Sequence, residues 1–448
     1  MSKNLKKETI YEETVKLSKE QQEAFDLVNN THYNVFIQGP AGTGKSLTIN
    51  YMKQHLKKSY IICSPTAIAA MNVGGVTLHS FFHLPLSEII TEENLYRANR
   101  KKIYEMLLYI DVLIIDVISM VRPDILDAVD LLCKSAKRNK NQPFGGIQVV
   151  LVGDLYQLPP VIKSTTLKLF EEIYDTKDPY FFDADAYKAG KFKKIELKHI
   201  FRQENKELLD NLTNLRLNKN LSKTSEYFNS CKITDKSILD NATTITPYRE
   251  IADKINLEKL EELSGPKYTF EADMWGSFTK MKTYPVEKNL VLKKGALVIF
   301  CKNNIPEWIN GTMGIVSQID MNRNIITVML LDSCKPVFVT KETWINYEYE
   351  MNIVIDQETR KSKKVIVEKT AGEFKQFPLQ LGYACTIHKA QGKTLDKVII
   401  DIGKGAFAHG QLYVALSRTR NKNDMHVINS FRKRDSIISE RVLEFMSN

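Results

Sequence analysis

Hydrophobic positions in this chain fall in short unbroken runs more often than in strict alternation. Val35–Ile37, Tyr60–Cys63, Val112–Ile115 and Val149–Val152 are each followed within two residues by Gly, Ser or Asp. Runs of this length are what parallel strands buried on both faces look like. Helical stretches separate them, so the pattern predicts a doubly wound α/β core with its ligand at the strands' carboxyl ends. From Val291 the texture changes. VLKKGALVIFCKN, WINGTMGIVSQID, NIITVMLLD and KPVFVT are Val/Ile-rich and separated by Lys-Lys-Gly, Asn-Gly and Asn-Arg-Asn turns. They predict a small antiparallel barrel. The segment LPLSEIITEENLYRANRKKIYE (84–105) interrupts the first α/β unit and ends in Arg97, Arg100, Lys101 and Lys102.

Composition adds bounds. The 448 residues suggest about two to four domains at roughly 100–200 residues each, and 43% hydrophobic content is ordinary for a globular chain. A net charge of +10 favours a polyanionic partner, nucleic acid before a membrane surface. The six cysteines are scattered, with no C-x-x-C pair and no zinc spacing, and read as reduced thiols. The opening MSKNLKKETIYEETVK has no apolar h-region, and no apolar stretch reaches the ~20 residues that span a bilayer. The expectation is a soluble cytoplasmic protein of bacterial or phage type.

The first apolar run leads into GPAGTGKS. Gly39, Gly44, Lys45 and Ser46 fit G-x-x-x-x-G-K-[ST] between a strand and a helix, with Gly42 and Thr43 inside the loop. Glycines let backbone amides close around phosphates, Lys45 reaches the β/γ-phosphates, and the Ser46 hydroxyl ligates Mg²⁺. ATP and Mg²⁺ are the expected ligands. VLIID then delivers Asp116 as the second metal-holding oxygen. The next residue is Val117, so only one carboxylate stands at this strand end. GDLYQLPP brings Gln157 to the same edge, as a contact to the γ-phosphate or the attacking water, or simply as a polar loop residue.

These pieces, with SPTAIAAMNVGGVTLHSFF, IIDVISM, FRQ, TIHKAQGKTLDKV and QLYVALSRTR, stand in the order found in superfamily-one helicases. From about Leu17 to Arg420 their wording resembles the Pif (petite integration frequency) family, whose own signature segment MVRPDILDAVDLLC is similar to. The resemblance implies two RecA-like P-loop domains with ATP between them, single-stranded DNA across their tops, and 5′-to-3′ translocation. It implies a first domain over 1–83 and 106–168, and a small wedge over 84–105. A second domain would occupy 169–284 and 376–448, with an SH3-like barrel inserted over 285–375. The barrel would close over the strand near a duplex junction, or serve as scaffold; the wedge would meet the duplex, or be a solvated helix.

By the same resemblance Gln21 reads adenine, and Arg202 and Arg418 reach the γ-phosphate, where a planar fork that never deprotonates suits the spread charge. Thr246, Thr386, His388 and Lys389 would grip the sugar-phosphate backbone. Pro65 and Thr66, at a strand end, offer amides and a small hydroxyl to phosphate. TLHSFFHLP adds His79 and Phe81, suited to phosphate contact and base stacking, unless the Phe81–Phe82 pair is core. None of these groups reads bases, so little sequence specificity is expected. The implied partners are single-stranded DNA and single-strand/duplex junctions, with G-quadruplexes left open. The implied state is a monomer, with a dimer on DNA left open.

The family has Asp-Glu where this chain has Asp116-Val117, and the glutamate orients and deprotonates water. Valine has no proton chemistry, although it would extend the apolar strand without cost. Two functional classes follow: an ATP-driven helicase with impaired hydrolysis, or an ATP-gated single-strand binding module with little turnover. A third reading, the motor subunit of a recombination nuclease, shares these motifs, but the chain carries no nuclease carboxylate cluster.

Overall fold

The computed structural model describes residues 16–85, 87–95, 101–203, 205–233, 242–281, 284–304, 306–355, 362–403 and 405–447. The fully apolar runs form the first sheet. It comprises β1 (Val35–Gln38), β2 (Tyr60–Ser64), β3 (Val76–Thr77), β4 (Val112–Asp116), β5 (Gln148–Gly153) and β6 (Lys193–Glu196), in the order β3-β2-β4-β5-β1-β6. Every pairing is parallel, and every residue of β1, β4 and β5 is buried, which is why these strands show no alternation. β6 pairs with β1, so the first domain reaches Glu196 and does not end at 168 as the sequence suggested. The sequence KKIE hides this strand, because it lies at the sheet edge and buries only Ile195.

The second sheet begins with β7 (Thr243–Thr246) and is then interrupted by a long antiparallel excursion. That excursion contains β8 (Tyr268–Glu271), β9 (Asp273–Gly276), β10 (Asn289–Leu292), β11 (Leu297–Phe300), β12 (Met313–Asp320), β13 (Ile325–Leu330), β14 (Pro336–Val339), β15 (Glu342–Ile355), β16 (Ser362–Gln376) and β17 (Leu379–Leu381). Five of these form one sheet, β14-β13-β12-β11-β17, packed around Val298, Phe300, Val316, Val328 and Phe377. β15 and β16 make a long hairpin edged by β9. The inserted strands therefore run from 268 to 381, wider than the expected 285–375. The second parallel sheet resumes with β18 (Ala384–Thr386), β19 (Val398–Ile400) and β20 (Met425–Val427), in the order β18-β7-β19-β20.

The described part of the segment after residue 84 packs its apolar side chains into the first domain. Leu84, Ile90, Leu95 and Ile103 join the main core, and the Ile90 amide donates to buried Asp124 at 2.8 Å, which also pairs with Arg122. Arg97 and Arg100 lie outside the described residues. Lys102 reaches Glu350 on the β15 hairpin. The C-terminal helix Glu440–Ser447 returns to the first domain: Phe445 stacks on Phe182 (4.3 Å between centroids), Lys194 of β6 lies 4.6 Å over the Phe445 ring, and Arg441 pairs with Asp183. No helix among the described residues is long and apolar enough to cross a membrane.

Candidate active site

The P-loop turn requires glycine. Gly42 (φ 86°) and Gly44 (φ 79°) lie in left-handed backbone, and a Cβ on Gly42 would come 2.5 Å from Cβ of Arg202. The segment carrying Arg202 lies directly on the loop, where the Phe201 amide donates to the Gly42 carbonyl at 2.9 Å. Lys45 opens the helix Lys45–His55 and turns back on its own loop, donating to the carbonyls of Gly39 (2.7 Å) and Pro40 (2.9 Å). Burial lowers its ammonium to about 8, against the pull of Asp154. Gln21 is fully buried: its Oε1 accepts the Ser18 amide in a capping box, and its Nε2 faces the carbonyls of Thr43 (3.2 Å) and Gly44 (3.4 Å).

Asp116 ends β4 and is buried; burial raises its carboxyl to about 6, against the Val117 amide and Lys45, which favour the ionised form. A buried carboxylate together with the Ser46 hydroxyl is a hard-oxygen pair that fits Mg²⁺, an ion usually held by few protein ligands plus phosphates and water.

Val117 does not continue the strand. Its backbone is left-handed (φ 59°, ψ 47°) and caps the 3-10 turn Ile118–Met120. This overturns the expectation that valine fits without cost, because the left-handed region costs an L-residue roughly 1–2 kcal/mol and suits β-branched side chains worst. Val117→Gly should therefore stabilise the first domain by about 1 kcal/mol in urea unfolding, the scale of that penalty; a lower midpoint would show that the side chain's contacts outweigh the strain.

Across the cleft, Arg202 Nη1 donates to the Ser417 carbonyl at 3.3 Å. Arg418, 1% exposed, donates to the carbonyls of Val414 (2.6 Å), Ala390 (3.3 Å) and Lys393 (3.3 Å) and to Ser417 Oγ (2.6 Å). Burial, then the nearby Arg202, brings its guanidinium down to about 9. The structure thus brings Arg202 against the P-loop, but turns Arg418 onto its own domain's backbone. Gln157 bridges the domains: its Nε2 donates to Asp154 Oδ2 (3.1 Å), and its Oε1 accepts Gln391 Nε2 (3.1 Å). Sequence reasoning missed Asp154's partners, Arg216 (3.4 Å) and Tyr413 (3.4 Å). Tyr413 lies in the quoted motif QLYVALSR, but Arg216 carries no local signal.

The threonines proposed to meet DNA share one device. Thr66, just after β2, Thr77, the last residue of β3, and Thr386, the last of β18, open short helices, each accepting an amide three residues on. Thr246, buried at the end of β7, accepts the Tyr248 amide at 3.4 Å. A hydroxyl that accepts the cap bond keeps its proton for an outside acceptor such as phosphate. Pro65 precedes the first cap, and His79 sits half-buried in the helix after the second, where burial lowers its imidazole's pKa. His388 and Lys389 are exposed on the helix that Thr386 opens. Phe81 is a correction: it is 5% exposed, Phe82 is 0%, and the two rings meet edge-on at 4.8 Å in the core, so neither offers a face to a base here.

A family model described as PIF1-like helicase matches residues 16–227. The chain is 32% identical over 439 residues to the ATP-dependent DNA helicase Pif1 of Campylobacter jejuni, covering 93% of each. It resembles the solved structure of unliganded Pif1 from Bacteroides with a TM-score of 0.84 at 35% identity, covering 96% of both chains. Against Bacteroides Pif1 bound to single-stranded DNA, identity and coverage are the same but the TM-score is 0.68.

Proposed function

This chain belongs to the PIF1-like helicase family, and from that premise we propose that it is an ATP-dependent 5′-to-3′ DNA helicase, moving on single-stranded DNA, whose hydrolysis is impaired at Val117. The observation that carries the reading is a P-loop walled by residues that follow β6 in the chain, with Arg202 against Gly42 and Tyr413 against Ala41. A nucleotide seated there touches both domains, so binding favours closure and product release favours opening.

The roles follow from side-chain chemistry. Lys45 swings from its own carbonyls onto the β/γ-phosphates, and Gln21 faces the base. Ser46 and Asp116 would hold Mg²⁺, which would neutralise charge on the phosphates. Arg202 is the mobile γ-phosphate contact, and Arg418 joins it only after leaving its backbone carbonyls. Val117 can neither accept a proton nor orient water, which leaves Gln157 as the one polar group proposed near the attacking water. On the DNA side, Thr66, Thr246, Thr386, His79, His388 and Lys389 contact sugar-phosphate, with Pro65 shaping the first strand end. We read the 84–105 segment as the wedge and the β8–β17 insertion as an SH3-like barrel that closes over the strand at a junction.

The alternative, an ATP-gated single-strand binding module, draws on Val117 alone. Direction tests the main reading. In a Val117→Glu background, a duplex with a 5′ single-stranded tail should be unwound and one with a 3′ tail should not. The reverse preference would refute the proposed polarity whatever the rate.

A further inference from the structure

The hydroxyl of Tyr413 holds a place on the P-loop that no motif assigns to it. Its oxygen accepts the Ala41 amide at 3.1 Å and its proton points to Asp154 Oδ2 at 3.4 Å. Ala41 lies inside the loop whose amides are there to close around phosphates. An amide bonded to a protein oxygen must give up that bond before it can serve a phosphate oxygen. The tyrosine is 4% exposed, and its contact is built into the backbone. Gly410, which caps the helix Gln411–Leu416, sits so close to the first domain that a Cβ there would lie 2.4 Å from the Tyr156 carbonyl and 2.6 Å from that of Gln157.

The bond also has a continuation. Asp154 takes Arg216 on Oδ1 and Gln157 on Oδ2, and Gln157 accepts Gln391. Gln391 caps the end of the helix Ile387–Ala390, the helix that Thr386 opens and that carries His388 and Lys389. An unbroken set of hydrogen bonds therefore runs from a P-loop amide to the loop proposed to hold DNA.

We propose that Tyr413 is a positioning residue that competes with nucleotide for the Ala41 amide: in yielding that amide it releases Asp154 and Gln157 to rearrange toward Gln391. The proposal rests on the nucleotide-site reading above and deepens it. Lys45 behaves in the same way, occupied by the Gly39 and Pro40 carbonyls until phosphate displaces them. Nucleotide binding is then an exchange of partners at these groups.

The sign of the effect separates this role from ordinary packing. Tyr413→Phe keeps the ring and removes the competing oxygen, so Mg·ADP should bind about three- to ten-fold more tightly, the worth of one net hydrogen bond. A loss of packing alone would weaken ADP binding or leave it as it was. Calorimetric titration of both proteins reads this directly, and equal or weaker ADP binding by a Phe variant with a normal unfolding midpoint would overturn the proposal. If the variant does not fold, 3-fluorotyrosine placed at 413 decides. Its ¹⁹F resonance should shift with ADP and saturate with the calorimetric affinity, and a resonance indifferent to bound ADP would refute the exchange. If the unmodified protein binds no ADP at all, the nucleotide site itself is misassigned and the inference falls with it.

Discussion

Val117→Glu should raise DNA-stimulated ATP turnover by about 10²–10⁴-fold, the usual worth of a positioned general base. That range corresponds to roughly 3–5.5 kcal/mol of barrier at about 1.36 kcal/mol per decade. ATP affinity should change little, because Lys45, Ser46, Asp116 and the loop amides are common to both proteins. The backbone favours the exchange as well: glutamate is not β-branched and tolerates the left-handed conformation at 117 better than valine does. Single-turnover hydrolysis and equilibrium ATP binding, measured side by side on oligo-dT, check both halves. Equal turnover would mean that another group already serves as base. Lost ATP binding in the valine form would mean that the defect is structural.

In that restored background, Arg202→Ala should cut turnover by about 10²–10³-fold, as loss of one preorganised charge-stabilising donor typically does. Arg202 makes one hydrogen bond to the Ser417 carbonyl here, and is free to re-aim at little cost. The same change at Arg418 would be a poor probe, since its guanidinium serves four acceptors within its own domain and their loss would disturb the fold. Unfolding midpoints near that of the parent, with ATP affinity nearly kept and turnover lost, would mark Arg202 as acting on the reaction. Unchanged turnover would remove it from the proposed mechanism.

The P-loop was legible because its constraint is local: glycines, lysine and serine are fixed by a turn a few residues long. The buried parallel strands were legible for a related reason, as burial on both faces leaves no polar position. The misreadings have physical sources. Whether Val117 ends a strand or extends it depends on one backbone angle, which an apolar residue does not advertise. Phe81 and Phe82 look the same in sequence whether they stack on bases or fill a core. KKIE at β6 reads as surface because an edge strand buries so little. Tyr413 meets Ala41 across 372 residues of chain, and Arg216 meets Asp154 across 62, so no spacing rule could have paired them. The insertion's strands were visible through their turns, but its limits were not, since β8 and β9 lie in polar sequence well before the first Val-rich run.

The return of the C-terminal helix to the first domain has a mechanical consequence. The chain leaves that domain just after β6 and comes back to it at Phe445, over Lys194 of the same strand. Both tethers to the second domain are thus pinned along one edge of the sheet, and a pin at one edge makes the sheet a lever. In the order β3-β2-β4-β5-β1-β6, the P-loop strand lies one position from the pin and β2, with Thr66 at its end, lies four. At roughly 4.8 Å per strand these are arms of about 5 and 19 Å. A rotation that shifts a group beside the phosphates by some small amount would shift one at the far threonine by about four times as much, the ratio of those arms. Gearing of this kind would turn a shift of about 1 Å beside the P-loop into one of about 4 Å at Thr66.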